Sequence, residues 1–468
     1  MRPRANRFAP GPATVPLLGL LLVLIYNANL RPIASLDTVP TRLLPFSLIL
    51  RGNVYLDDWI QPYLGVKVEG FGVYFVRRAH GHWVSRYPIL LPVLITPLYL
   101  VPAWWVSAQP PALSGQALTL VAETMEKLAA SAIAALSVVV LYLALRKVSS
   151  AAHSLLVGLI YGLASNTWAI SSQALWRQGM TELCFALLLW SLLRGPDARG
   201  SPFWAGLSVA LAAANKPAYV IFAALLFIYF ARHHRRGLWQ FCAPLFVIGV
   251  LVLIYNISVL GKVFGGLPFP VSWPQEKYMT SHFQASTVGA LTGLLLSPSR
   301  GLLIYSPWVV FSLWGAVRLW KAKALDWGRY ILIGVVIVLI LHARYTDWWG
   351  GHCFGPRYLT DLMPFLAFFL VLVVPQIQAA PILRAALVLA LAAALWVQVV
   401  GAFHYPGGGW DTTPVNVDVR PDRLWDWTDT QLSRSWHAPA AAPEFCYRWG
   451  AYFSLRKALE GSGPGAQP

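Results

Sequence analysis

Apolar runs long enough to enter a bilayer recur from one end of this chain to the other, and they limit its fold more than any other feature. A backbone crossing hydrocarbon must satisfy its own hydrogen bonds, so only helices and closed barrels can do so. A barrel would show alternating segments of about ten residues, whereas these runs are continuous. Eleven can be marked: 14–30, 128–145, 152–170, 179–193, 202–214, 217–231, 240–259, 301–317, 330–343, 359–375 and 382–402. Charged residues make up 12% of the chain, against about 25% in soluble domains. The expected architecture is an all-α polytopic membrane protein with a bundle of about 11 transmembrane helices. The first run is too long for a signal-peptide core and lacks a clear small-residue cleavage site, so it is expected to be retained.

The formal charge is +17. In a soluble chain that would raise nucleic acid as a partner; here the basic residues track the loops instead. With Arg2, Arg4 and Arg7 cytoplasmic, the short loops holding Arg146 and Lys147, then Arg194 and Arg199, then Arg232, Arg235 and Arg236, then Arg318, Lys321, Lys323 and Arg329 all fall on that side. Cytoplasmic loops are enriched in this way. The run 88–105 breaks the pattern if it crosses. It carries prolines at 88, 92, 97 and 102, each removing a helix hydrogen bond, so it is expected to lie in-plane or re-entrant. The short spans 202–214 and 217–231 form a pair, and losing both would leave the remaining topology unchanged. The expected organisation is a cytoplasmic N-terminus (1–13), a membrane module (14–403) whose first outside loop is 31–127 with in-plane helices, and a small outside cap (404–468). No nucleotide-binding glycine motif or internal repeat interrupts it.

The outside face collects the chemistry. Asp37, in "ASLDTVPTRLLPF", lies just beyond the first run, and on this stretch alone it reads as a helix cap. Asp57 and Asp58 read as a solvated turn or as ligands to a divalent cation. Arg77, Arg78, His80, His82 and Arg86 form a basic, aromatic-flanked cluster, suited to lipid head groups or to a phosphate. Lys216, Arg300 and Arg357 reach the same face, and Arg177 and Glu182 could pair with each other. The loop "WWGGHCFGPRYLTD" is unusually aromatic and glycine-rich for a connector between spans.

An acid after the first helix, a long outside loop, and a basic residue before proline in "SRYP" resemble the GT-C superfamily of membrane glycosyltransferases. The likeness is to its branch of bacterial aminoarabinose transferases and protein O-mannosyltransferases. "LDTVPTRLLPFSLILRGNVYLDDW" is similar to that branch's first catalytic loop, while "SPSRGLLIYSP" and "WWGGHCFGPRYLTDLMPF" are similar to further segments. The resemblance covers roughly residues 14 to 400. It implies an inverting transfer of a sugar from a polyprenyl-phosphate donor to a lipid, glycan or protein acceptor, on the outer face of the bacterial cytoplasmic membrane. Asp37 would be the general base. Arg86, Lys216, Arg300 and Arg357 would hold the donor phosphate, with His80, His82, Tyr87 and His352 as weaker substrate contacts. Relatives often have two adjacent acids where this chain has Asp37 and Thr38, a departure that weakens any metal requirement implied by the resemblance. A divalent cation on Asp57 and Asp58 is the one cofactor left open.

Cys184 and Cys242 fall inside spans and read as apolar packers. Cys353 and Cys446 both fall outside, where an oxidising compartment would allow a disulfide. Five tryptophans in the tail (410, 425, 427, 436 and 449) read as interfacial anchors or a sugar-stacking surface. The rival classes are a transporter of lipid-linked sugars and a non-catalytic assembly subunit. A transporter would carry charges near mid-span and two related halves. The topology predicts that cysteines at Gly81 and Ser454 are labelled by an impermeant reagent in intact cells. Labelling at either site only after lysis would contradict it.

Overall fold

The computed structural model describes residues 13–64, 74–263 and 286–461. Arg2, Arg4 and Arg7 of the expected cytoplasmic terminus lie outside the described residues. Helices dominate, as the apolar runs require, and they pack on a 35-residue helix, Pro111–Leu145. At 1.5 Å per residue it is about 52 Å long. Its C-terminal half is the apolar run, and its N-terminal half continues past it into the first loop. Proline opens it at the first position, where the missing N–H is unpaired anyway. Thr14–Asn27 and Arg177–Leu193 pack along it, and Ser201–Asn215 and Arg235–Leu260 continue the layer.

The helix Arg235–Leu260 is the least buried of the long ones, and Phe246, Leu251 and Ile254 stand exposed along it. Apolar side chains in that position suit contact with lipid tails. At its far end sits the one described hairpin, Val76–Ala79 paired with His82–Ser85. His80 and Gly81 turn it, both with positive φ, as a two-residue turn matched to strand twist requires.

Several expectations change. Among the described residues four helices are long and apolar enough to cross a membrane, and the others are shorter, so the count of about 11 full spans is not reproduced. The reason is local. The run 152–170 breaks into Ala151–Leu163 and a π turn, Thr167–Ser171. The run 301–317 splits into Leu302–Tyr305 and Val309–Lys321 around Ser306 and Pro307. The run 359–375 splits into Arg357–Thr360, Met363–Val371 and Val374–Ala379. A further apolar helix, Thr287–Leu296, carries no counterpart among the marked runs.

The proline-rich run 88–105 is helical from Leu90 to Ser107 and is one of the four. It restarts at each proline, as Leu90–Ile95, Thr96–Tyr99 and Leu100–Ser107. Pro92, Pro97 and Pro102 fall in the first turns of these pieces, where N–H groups lack intrahelical partners. Tyr99 and Ala103 are buried against Val39–Leu50 and its surroundings, while Val101 and Trp104 are exposed.

Helix contacts are close where glycine allows. A Cβ on Gly315 would stand 1.8 Å from the Phe369 carbonyl oxygen of the facing helix. Gly315→Val should therefore lower the thermal unfolding midpoint in detergent, overpacking of this kind costing about 1–3 kcal/mol. Gly249→Ala, with nothing within 4 Å of the new Cβ, should leave it unchanged. Equal midpoints for both variants would show that the two helices separate without cost.

Candidate functional site

The chain leaving the first helix is fastened before it reaches Asp37. Asn29 Nδ2 donates to Gln173 Oε1 at 2.8 Å and to the Ala402 carbonyl at 2.9 Å. The Ile33 N–H donates to the Gln173 carbonyl at 3.3 Å, and the Trp176 indole N–H to the Ile33 carbonyl at 3.4 Å. The segment 173–176 follows the π turn, so an irregular helix end supplies the polar groups that a regular one would consume internally. The next helix, Val39–Leu50, is tied down by the buried pair of Arg42 with Glu126 at 2.5 Å.

Ser35, not Asp37, caps the short turn Leu36–Thr38, its Oγ accepting from the Asp37 N–H at 3.1 Å. That leaves the Asp37 carboxylate without a capping task. Its Oδ1 accepts from the Tyr87 hydroxyl at 2.6 Å and its Oδ2 from Arg357 Nη1 at 2.9 Å. The Tyr74 hydroxyl bonds it too. Burial pushes this carboxyl's pKa up, but the Arg357 charge and the three hydrogen-bonding side chains outweigh it, and the group sits below its usual range. Burial and the Asp37 charge hold the Tyr74 and Tyr87 hydroxyls protonated far above neutrality. Asp37 is therefore an anion at neutral pH, 23% exposed, with Arg357 at 13%.

Arg357 arrives from the loop "WWGGHCFGPRYLTD", 320 residues on. Gly355 has φ +60°, and a Cβ there would lie 2.5 Å from the Tyr305 ring, so only glycine allows the backbone this path. The guanidinium stacks over Trp176, 4.8 Å from the ring centroid, and beside Tyr358 at 5.6 Å.

Two further cations approach. Lys216 forms an ion pair with the buried Asp361. Arg177 lies 4.9 Å over the Tyr87 ring, and its side chain has no hydrogen bond or ion pair among the described residues. It does not pair with Glu182, which accepts from Thr167 Oγ1 at 2.6 Å instead. Asn215 Nδ2 donates to the Arg177 carbonyl at 2.7 Å, fixing that helix start beside Lys216.

Arg86 and Tyr87 stand at the head of a cavity of about 230 Å³. Its walls are apolar: Leu90 and Val93 on one side, Ile248 and Leu251 of the lipid-facing helix on the other. Arg86 is steadied by the Tyr74 carbonyl at 2.9 Å.

The remaining expected site residues lie elsewhere. Arg300 is fully buried and held by Asp411 at 2.7 Å, the Ser299 carbonyl at 2.8 Å and the Gly351 carbonyl at 3.2 Å. It joins the C-terminal region to the glycine loop and offers no surface to a phosphate. Asp57 accepts from the Trp83 N–H and contacts His82, both at 2.9 Å, and Asp58 pairs with Arg51 at 2.6 Å. These acids hold the first loop together, and no cluster of three or more candidate metal-binding side chains occurs among the described residues. His82 stacks on Tyr55 at 4.0 Å, and His80 sits at the hairpin turn against Gly261. His352 contacts Asn416 at 3.1 Å and Asp418 at 3.4 Å, and Asp418 lies within the electrostatic reach of Tyr74. The disulfide is not formed: Cys353 is a buried free thiol within the glycine loop, and Cys446 is exposed on the last helix. Tyr74, Gln173, Asp361 and the unpaired state of Arg177 had no sequence signal, because each depends on chain segments far apart.

No sequence-family profile and no curated protein matches this chain. Among solved structures, it is similar to the crystal structure of ArnT from Cupriavidus metallidurans bound to undecaprenyl phosphate. The identity is 13%, the match covers 94% of this chain and 75% of that one, and the TM-score is 0.46.

A carboxylate with a depressed folded pKa stabilises the fold above its unfolded pKa, and that contribution is lost as pH falls through the folded value. Asp37→Asn should therefore unfold at a lower temperature than wild type at pH 7, with the difference shrinking as pH drops below the usual carboxylate range. A difference independent of pH would show that the Asp37 charge is not what Arg357 and the tyrosines hold.

Proposed function

We propose that this protein is an inverting glycosyltransferase that moves a sugar from a polyprenyl-phosphate donor to an acceptor hydroxyl at the outer membrane face. The observation that carries the reading is the meeting of Asp37 with Arg357, joined by the Tyr87 hydroxyl to an apolar groove that Tyr87 also lines. An ionised carboxylate and a guanidinium beside an apolar groove suit the two halves of such a donor. The motif resemblance to GT-C glycosyltransferases points the same way.

In the reaction, the acceptor oxygen attacks the anomeric carbon as the bond from that carbon to the phosphate oxygen breaks. The polyprenyl phosphate leaves with the bonding electron pair, and the acceptor proton passes to Asp37. Being ionised at neutral pH, Asp37 is ready to accept it. Tyr87 and Tyr74 fix the carboxylate's orientation, so less reorganisation is needed at the moment of attack. The leaving phosphate gains charge, and a guanidinium placed beside it favours the transition state over the ground state. One attack from the face opposite the leaving group inverts the anomeric centre.

Burial of Glu126, Lys127 and Glu182 would suit a transporter if they lay along a path. Each instead is held in the packed interior: Glu126 by Arg42, Lys127 by Gln173, and Glu182 by Thr167.

The test is turnover on a panel of labelled polyprenyl-phosphate sugars offered with membrane-derived acceptors. Asp37→Asn should abolish transfer, since the amide keeps the shape but takes no proton. Arg357→Lys should lose about tenfold or more, because lysine keeps the charge without the two-pronged fork. Asp57→Asn should be much milder. Wild-type turnover by both Asp37→Asn and Arg357→Lys would overturn the reading.

A further inference from the structure

We infer that Arg177 is the guanidinium that receives the phosphate of the lipid donor, a role that rests on the reading above. The cations around Asp37 differ in one respect. Arg357 is matched by Asp37 and Lys216 by Asp361, whereas Arg177 meets no carboxylate among the described residues and is held only by the face of Tyr87. It also lies close enough to Lys216 to repel it, as Arg357 does. A half-buried site with an unmatched positive charge favours an anionic occupant, because burying a cation away from water is costly unless a counter-charge arrives.

The position fits a lipid phosphate in particular. Tyr87 belongs to both features: its ring carries Arg177, and it lines the head of the apolar groove together with Arg86. Ala213, Ala214 and Pro217, the residues around Lys216, form part of the groove wall. A polyprenyl chain lying between Leu90, Val93 and Leu251 would bring its phosphate to the end where Arg177 stands. The backbone of Arg177 is fixed by Asn215 and Thr181, so its guanidinium is presented from a rigid helix start. Arg300 cannot do this, being fully buried and already matched by Asp411.

The test is equilibrium binding to the full-length protein in detergent, read by intrinsic tryptophan fluorescence and checked by native mass spectrometry. The probes are undecaprenyl phosphate, the uncharged alcohol undecaprenol, and inorganic phosphate. Wild type should bind undecaprenyl phosphate more tightly than either of the others. Arg177→Gln should weaken undecaprenyl phosphate by about tenfold or more, the scale of a lost charge-assisted hydrogen-bond pair. Its affinity for undecaprenol should be unchanged, which also shows that the groove is intact. Arg177→Lys should fall between the two. Arg235→Gln removes the same charge from the end of the helix Arg235–Leu260 opposite the groove, and should have no effect. Equal binding of undecaprenyl phosphate by wild type and Arg177→Gln overturns the inference alone. Tighter binding of inorganic phosphate than of the lipid would place an anion site at Arg177 unconnected to the groove, and overturns it too. Failure of wild type to bind undecaprenyl phosphate overturns the donor reading and this inference with it.

Discussion

The contact between Asp37 and Arg357 is the one on which the site depends. It closes a loop of 320 residues, joining the segment after the first helix to the glycine-rich connector near the end of the bundle. Neither partner reaches the other without support. Asp37 is positioned because Ser35 takes the capping bond and Gln173 and Trp176 hold the chain leading to it. Arg357 is positioned because Gly355 passes where no side chain fits, and because Trp176 offers its ring. Trp176 contributes to both supports, by its indole N–H and by its face. The turn that ends the π segment thus aligns acid and base from two remote parts of the chain.

Around this pair the charges are arranged unequally. Carboxylates match Arg357, Lys216 and Arg300, and each of these pairs fastens one segment to another. Arg300 with Asp411 secures the C-terminal region, reinforced by Gln431, which donates to the Cys353 carbonyl at 2.8 Å. Buried pairs of this kind contribute little net stability, but removing one partner is costly because the other is left uncompensated. Arg177 is different: among the described residues its side chain has only the Tyr87 ring beside it and no carboxylate. The apolar groove beside it gives the same end of the bundle a second surface, suited to hydrocarbon.

Much of the fold was legible from apolar runs and the distribution of basic residues, since hydrocarbon permits few alternatives. Where the sequence misled, the cause was local chemistry. Prolines 92, 97 and 102 do divide their run, each lying in the first turn of one of three short helical pieces. Around the site, runs that read as continuous spans break at Ser306, Pro307 and the π turn, because irregular backbone is what frees polar groups for the site. Asp37 and Arg357 could be named from their short motifs. Arg300 looked equivalent to Arg357, since both follow a proline or serine turn before a span, and only the position of Asp411 in space separates a staple from an available cation. Asp57, Asp58, His80 and His82 share a loop with Asp37 but spend their polar groups on the hairpin. Sequence proximity could not distinguish these uses.

Sugar transfer between Asp37 and the cations beside it requires the donor to lie against them. The most direct measurement is an electron cryo-microscopy structure of the protein with a non-transferable phosphonate analogue of a polyprenyl-phosphate sugar. The isoprenoid chain should lie between Leu90 and Leu251, the phosphonate against Arg177 and Arg357, and the anomeric carbon on the Asp37 side. An analogue seated elsewhere in the bundle, with the pair of Asp37 and Arg357 unvisited, would contradict it.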